Sequence, residues 1–183
     1  MKRQVIFAGR FQPFHFGHMT VIRDAMTLIA PEDVFVLGVI AQMGIEIPAA
    51  DQKFAEAAEE HHRPERNPWP LWVRIMALME VAKSIEQFVP QRKIIVTAIP
   101  RPDYGWRQIQ TWFSGPRIWV IPVAQEYFDE QKAAFFEAMG DQILRCKDDS
   151  GISGRELRNM WEKGLVDNMK KHLPECVHSA YCP

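Results

Sequence analysis

Short apolar runs that alternate with helix-patterned segments constrain this chain more than any other feature. Val5-Ile6-Phe7-Ala8, Val34-Phe35-Val36-Leu37-Gly38-Val39-Ile40, Lys93-Ile94-Ile95-Val96-Thr97-Ala98-Ile99 and Arg117-Ile118-Trp119-Val120-Ile121 are nearly continuous in apolar character. That is the pattern of strands covered on both faces. Between them, residues 19–26, 72–89, 107–113, 129–139 and 153–163 read as helices. The second of these places Ile75, Met76, Leu78, Met79, Val81, Ala82 and Ile85 at helical spacing. Gln142-Ile143-Leu144-Arg145 reads as a short fifth strand. Parallel neighbours need a crossover, and helices supply it, so the expected fold class is α/β with a doubly wound parallel sheet. Ligands in such a sheet bind beyond the carboxyl ends of the strands. Gly9-Arg10, Ile99-Pro100 and the turn before Ser153 all come to that edge.

The segment leaving the first strand is Gly9-Arg10-Phe11-Gln12-Pro13-Phe14-His15-Phe16-Gly17-His18. A glycine-led turn joins strand to helix, and two histidines stand three residues apart where the helix begins. Residues at that spacing share a helix face. Unpaired N–H groups and partial positive charge at a helix N-terminus suit phosphate, and Gly17 lets a ligand approach the backbone. Further on, Ser153 reads as a helix cap, with Glu156 completing a capping box.

A strand, then G-x-F-x-P-x-H-x-G-H, then a helix resembles the nucleotidylyltransferase superfamily. The fuller form GRFQPFHFGH resembles the nicotinamide-nucleotide adenylyltransferases of the archaeal type. The resemblance implies a Rossmann-like nucleotidylyltransferase fold. It also implies that His15 and His18 face the phosphates of ATP, with Gly9, Arg10, Phe11 and Gly17 lining the nucleotide site. Ile152-Ser153-Gly154-Arg155-Glu156-Leu157-Arg158 is similar to the C-terminal signature of that superfamily. It implies that Ile152, Ser153 and the helix N-terminus hold the phosphates and that Arg158 adds a cation. Arg155 stands where many members have Thr, and a charge-assisted bond would replace that hydroxyl. Arg66-Asn67-Pro68-Trp69-Pro70-Leu71-Trp72-Val73-Arg74 resembles the family's R/E-N-P segment and implies that Arg74 reaches the phosphates; Val73 replaces a family Glu. Ile99-Pro100-Arg101-Pro102-Asp103-Tyr104-Gly105-Trp106 resembles I-P-x-P-D followed by Trp. It implies that Pro102, Asp103 and Arg10 contact the mononucleotide and that Trp106 stacks on the nicotinamide ring, with Trp112 the fallback. The Pro122-Val123-Ala124-Gln125-Glu126 loop lacks the family's Asn, and no contact is carried over to it.

The activity implied is transfer of the adenylyl group of ATP to nicotinamide mononucleotide, giving NAD and pyrophosphate. His15, His18 and Arg74 would be catalytic, with Mg²⁺ bound mainly through the ATP phosphates. Relatives assemble, so a homo-oligomer is expected. The same phosphate-handling motifs serve other acceptors: nicotinate mononucleotide, phosphopantetheine or a polyol phosphate. A nucleotide-binding regulator without turnover is the reading from a different class, supported by Val73 and the altered 122–126 loop.

The 183 residues fit one domain, with an insertion over 43–66 and a short tail from about 174. A hydrophobic fraction of 47% and a charged fraction of 25% are ordinary for a globular chain. A net charge of -1 gives no field favouring nucleic acid or an anionic membrane. No apolar run approaches the roughly 20 residues that span a bilayer. There is neither G-x-G-x-x-G nor G-x-x-x-x-G-K-[ST], which counts against a bound dinucleotide cofactor and a P-loop. A cleaved leader is not expected, because its site would fall inside the first motif. Three cysteines, late in the chain, argue against a disulfide framework and point to a reducing cytoplasm. His172, Cys176, His178 and Cys182 match no zinc spacing, and a frayed tail without metal is expected.

Overall fold

The structure is a computed structural model that describes residues 2–41, 67–123, 127–148 and 150–182. The insertion expected over 43–66 lies outside the described residues. Five strands, β1 (Gln4–Gly9), β2 (Val34–Ala41), β3 (Ile94–Pro100), β4 (Arg117–Pro122) and β5 (Gln142–Cys146), form one sheet in the order β3-β2-β1-β4-β5. Every pairing is parallel. The helices are α1 (Phe16–Leu28), α2 (Leu71–Phe88), α3 (Pro102–Trp112), α4 (Tyr127–Ala138), α5 (Gly154–Glu162), α6 (Val166–Lys170) and α7 (His178–Tyr181), with a 3₁₀ turn at Glu175–Val177. This is the expected doubly wound Rossmann-like sheet. The chain runs outward from β1 to β3, then crosses to β4 on the other side of β1. The reversal creates a crevice between the carboxyl ends of β1 and β4, the usual ligand position in such sheets.

The period of two along each strand sorts side chains onto two faces. Val5 and Phe7 of β1, Phe35, Leu37 and Val39 of β2, and Ile118 and Val120 of β4 share a core with α1, α2, α5 and the C-terminal segment. Ile6, Val36, Ile99, Trp119 and Ile121 face the other way, beneath α3 and α4. Burial on both sides explains why these strands read as continuous apolar runs. Each fully buried Val, Leu, Ile or Phe contributes about 1.5–3 kcal/mol.

α1 is secured at its far end by Arg92, a buried side chain. Its Nη1 donates to the carbonyl of Ala30 at 2.8 Å, and Nη2 approaches those of Met26 and Ile29 at 3.5 Å. These carbonyls are the groups a helix C-terminus leaves unsatisfied.

Two elements differ from the sequence reading. α3 starts at Pro102, not at 107, because Pro102 supplies a helix-ready φ and Asp103 sits in the first turn. It kinks at Gly105 (φ -109°, ψ 26°), where an added Cβ would stand 2.4 Å from Cβ of Pro100. The tail does not fray. Met169, Leu173, Val177 and Tyr181 recur every four residues and are buried in the core. Nε2 of His178 lies 3.1 Å from the carbonyls of Lys170 and Leu173, so it tethers the tail to itself. Among the described residues, no group of three His, Cys, Asp or Glu side chains is placed to hold a metal. No described helix is long and apolar enough to cross a membrane.

Candidate active site

A cavity of about 260 Å³ opens at the β1/β4 crevice. It is lined by residues 7–13 from β1 and its turn, by His15, His18 and Val21, and by residues 119–122 from β4. Ile40 of β2, Pro102 and Asp103 of α3, Asp129, Lys132 and Phe136 of α4, and Asp148, Ile152, Ser153, Gly154 and Arg158 around α5 complete it.

His15 and His18 cap α1 with their rings. Nδ1 of His15 accepts from the N–H of Gly17 at 3.1 Å, and Nδ1 of His18 accepts from the N–H of His15 at 3.2 Å. A nitrogen that accepts cannot carry the proton, so this network assigns both rings the Nε2–H tautomer. The ring centroids are 3.9 Å apart. Phe7, Phe11 and Phe14 enclose His18, with centroids at 6.1, 5.1 and 5.3 Å. Burial pushes His15 down to about 4, with Asp148 opposing and Arg158 and His172 assisting. Burial, then the neighbouring His15, Lys132 and Arg10, push His18 well below the usual imidazole range. Both rings are neutral near pH 7, and each has one N–H to donate.

Gly17 is held by protein on its open side. An added Cβ would lie 2.5 Å from Oγ of Ser150 and 2.8 Å from Oδ1 of Asp148. Asp148 itself accepts from the N–H and hydroxyl of Ser150, at 3.1 and 2.8 Å. The closeness at Gly17 therefore serves the β5–α5 loop, and Gly17 is not among the lining residues. At α5 the expected capping box is present: the N–H and hydroxyl of Ser153 each donate to Oε2 of Glu156 at 2.8 Å, and the Glu156 N–H donates to Oγ of Ser153 at 3.3 Å. These bonds from Ser153 lower the Glu156 pKa. Arg158, from the same helix, is buried and donates Nη1 to the carbonyl of Gln12 at 2.6 Å. Arg155 is exposed and does not line the cavity.

Arg74 is also absent from the lining. It is buried, with Nη1 donating to the carbonyls of Arg10 (2.9 Å) and Ile40 (3.0 Å), so it ties the ends of β1 and β2 together. Desolvation lowers its pKa. Asp103 reaches the cavity as half of a buried ion pair with Arg101, Oδ2 to Nη2 at 2.7 Å. Trp106 does not. Beyond the Gly105 kink it packs against Trp119, Phe135 and Phe136, with Arg117 5.5 Å over its ring. Trp112 is exposed. The aromatic lining residues are instead Phe7, Phe11, Trp119 and Phe136, the last two stacked at 3.9 Å and 4°. Asp141 holds the Trp119 indole N–H at 2.7 Å.

Sequence reasoning missed Trp119, Phe136, Asp129, Lys132 and Asp148 as lining residues. Asp148 follows a strand's carboxyl end, which is a usable signal; the others carry none beyond strand and helix pattern. The acidic lining residues are each engaged: Asp103 with Arg101, Asp129 with Lys132 at 2.6 Å, and Asp148 with Ser150. A metal ion held here by protein alone would have to compete with these partners for the carboxylate oxygens.

The fold and this crevice, with paired imidazole donors at a helix start, define a nucleotidyltransferase class of protein. More particularly, the chain matches the cytidylyltransferase-like family over residues 6–160 and belongs to it. No curated protein sequence matches it. Among solved structures, a Vibrio parahaemolyticus protein provisionally assigned as a nicotinate-nucleotide adenylyltransferase aligns over 98% of this chain and 91% of its own, with 14% identity and a TM-score of 0.57. An Archaeoglobus fulgidus protein of unknown function aligns over 84% of this chain and 94% of its own, with 14% identity and a TM-score of 0.40. Thermotoga maritima TmcAL bound with alpha-thio ATP aligns over 98% of this chain and 55% of its own, with 13% identity and a TM-score of 0.44.

Proposed function

We propose that the protein transfers the adenylyl group of ATP to the 5′-phosphate of nicotinamide mononucleotide, giving NAD and pyrophosphate. The observation that carries this reading is the pair of neutral imidazoles, His15 buried and His18 half-buried, each with Nδ1 satisfied by backbone and Nε2–H left to donate. A phosphate oxygen of the acceptor attacks the α-phosphorus of ATP. The bond from that phosphorus to the bridging oxygen breaks, and pyrophosphate leaves with the electron pair. The acceptor phosphate is already a nucleophile at neutral pH, so no base and no covalent enzyme intermediate are needed. What the site must supply is position and stabilisation of growing negative charge.

The Nε2–H groups of His15 and His18 do this as fixed donors that need no proton in flight. Arg10, Lys132 and Arg158 line the same cavity, Lys132 paired with Asp129, and Asp103 and Asp148 line it too. Magnesium accompanying ATP would supply charge neutralisation on the phosphate oxygens. Pro102 and Asp103 line the same cavity, as do the buried, mutually stacked Trp119 and Phe136. Membership of the cytidylyltransferase-like family supports the reaction class, and the Vibrio parahaemolyticus likeness is one of fold.

The test is pyrophosphate release with ATP and Mg²⁺, offering nicotinamide mononucleotide, nicotinate mononucleotide, phosphopantetheine or no acceptor. Release that requires nicotinamide mononucleotide, with NAD formed, supports the proposal. Release with another acceptor keeps the chemistry and moves the substrate, and no release from protein that binds ATP favours a regulator.

A further inference from the structure

We propose that Tyr181, in the last helical turn of the chain, is a positioning residue of the nucleotide site. The inference rests on reading the cavity as that site. Three consecutive backbone carbonyls in the turn after β1 each accept from a side chain of a distant segment. Arg10 accepts from Nη1 of Arg74 at 2.9 Å, Phe11 from the hydroxyl of Tyr181 at 3.0 Å, and Gln12 from Nη1 of Arg158 at 2.6 Å. All three donor residues are buried, Tyr181 completely.

The turn needs this support. It leaves the sheet at Gly9, so its carbonyls have no ladder partner, and a buried carbonyl left unmet costs about 1–3 kcal/mol. Phe11 sits at φ +50°, a region that costs a residue with a side chain about 1–2 kcal/mol. Such a conformation persists only where its surroundings over-determine it, and the three donors are those surroundings. A trans peptide sends its N–H opposite to its C=O. Drawing the carbonyls of Arg10 and Phe11 onto Arg74 and Tyr181 turns the N–H groups of Phe11 and Gln12 the other way. Carbonyl lone pairs, which would repel a triphosphate, are engaged by these donors instead. Tyr181 contributes without charge, because burial pushes its phenol above the usual range. Deleting its hydroxyl changes geometry alone.

Tyr181→Phe keeps the ring, which meets Trp69 edge-on at 5.4 Å, and removes the hydroxyl, which donates to Phe11 and also meets the backbone of Phe14. Val177→Ala, at another fully buried position in the same segment, is the control for lost stability. Calorimetric titration with ATP and with CTP should show Tyr181→Phe binding its nucleotide about tenfold more weakly. Nicotinamide mononucleotide affinity should be unchanged. Val177→Ala should lower Tm and leave nucleotide affinity at the wild-type value. Wild-type affinity in Tyr181→Phe, an equal loss in Val177→Ala, or a wild type that binds neither nucleotide overturns the proposal. Should Tyr181→Phe not fold, amide exchange on the wild type decides. Nucleotide should slow exchange in residues 175–182 together with 9–18, and protection confined to 9–18 overturns it. A wild type that binds nucleotide yet transfers nothing defeats the adenylyl-transfer reading; the tenfold loss in Tyr181→Phe then still supports this one.

Discussion

Helices α1 and α5 both begin at the cavity with a capping box, yet the two boxes leave opposite fields in front of them. At α1 the accepting atoms are neutral imidazole nitrogens, so backbone donors are satisfied without bringing in negative charge. The far edges of the same rings remain as donors. At α5 the N–H and hydroxyl of Ser153 donate to a carboxylate oxygen of Glu156, which sets an anion in the first turn. A helix N-terminus is therefore not an anion site by default; its cap decides. On the function proposed above, α1 would receive phosphate, and α5 would contribute through the cation of Arg158 more than through its N-terminus.

The largest expected effect is at α1. His18→Ala should cut turnover by about two orders of magnitude or more, the scale of losing one donor to developing charge. Near-normal turnover from folded protein would break the contrast between the two caps.

Acid should weaken the α1 cap through stability. An unfolded His takes up its proton near 6.5, whereas His15 in place resists until about 4. The unfolded chain thus binds more protons between those values. The stability gained by keeping the ring neutral is complete above 6.5 and is lost as pH falls toward 4, on the order of 3 kcal/mol from His15. Urea unfolding at pH 7 and 4.5 should show the fall, and His15→Gln should flatten it; identical slopes would be evidence against the buried neutral ring.

Gly17→Ala comes next. Its methyl would press on Ser150 and Asp148, and the shift of α1 should lower kcat/KM about tenfold. The double variant Gly17→Ala/Ser150→Gly should recover part of the loss, and no recovery would locate the damage elsewhere.

The smallest effect sharpens the comparison from the other helix. Glu156→Gln keeps an acceptor for Ser153 and removes the charge, so nucleotide should bind about threefold more tightly at low salt. Weaker binding would mean that the carboxylate serves the ligand directly.

The sheet was legible because two-sided burial writes continuous apolar runs, and the runs at 5–8, 34–40 and 117–121 became β1, β2 and β4. The Ser153–Glu156 box was legible because capping is local chemistry within four residues. The reach of single side chains was not. Arg74 and Arg155 have the residue type of phosphate ligands, but one turns inward to carbonyls and the other to solvent. Trp106 could not be placed without the Gly105 kink that swings it onto Trp119. The tail carried an apolar period of four, yet its His and Cys residues drew the eye, and no local signal pairs Tyr181 with a carbonyl 170 positions away.

The grip of Arg92 on the far end of α1 has a consequence for how this protein should fail when heated. At its near end the N–H of Phe16 is held by the carbonyl of His172. A rod clamped at both ends cannot slide or tilt to meet its ligand, so the two imidazoles are in register as soon as the chain has folded. Inactivation should then follow the same thermal curve as loss of the core, with no earlier phase in which an intact sheet carries a disordered site.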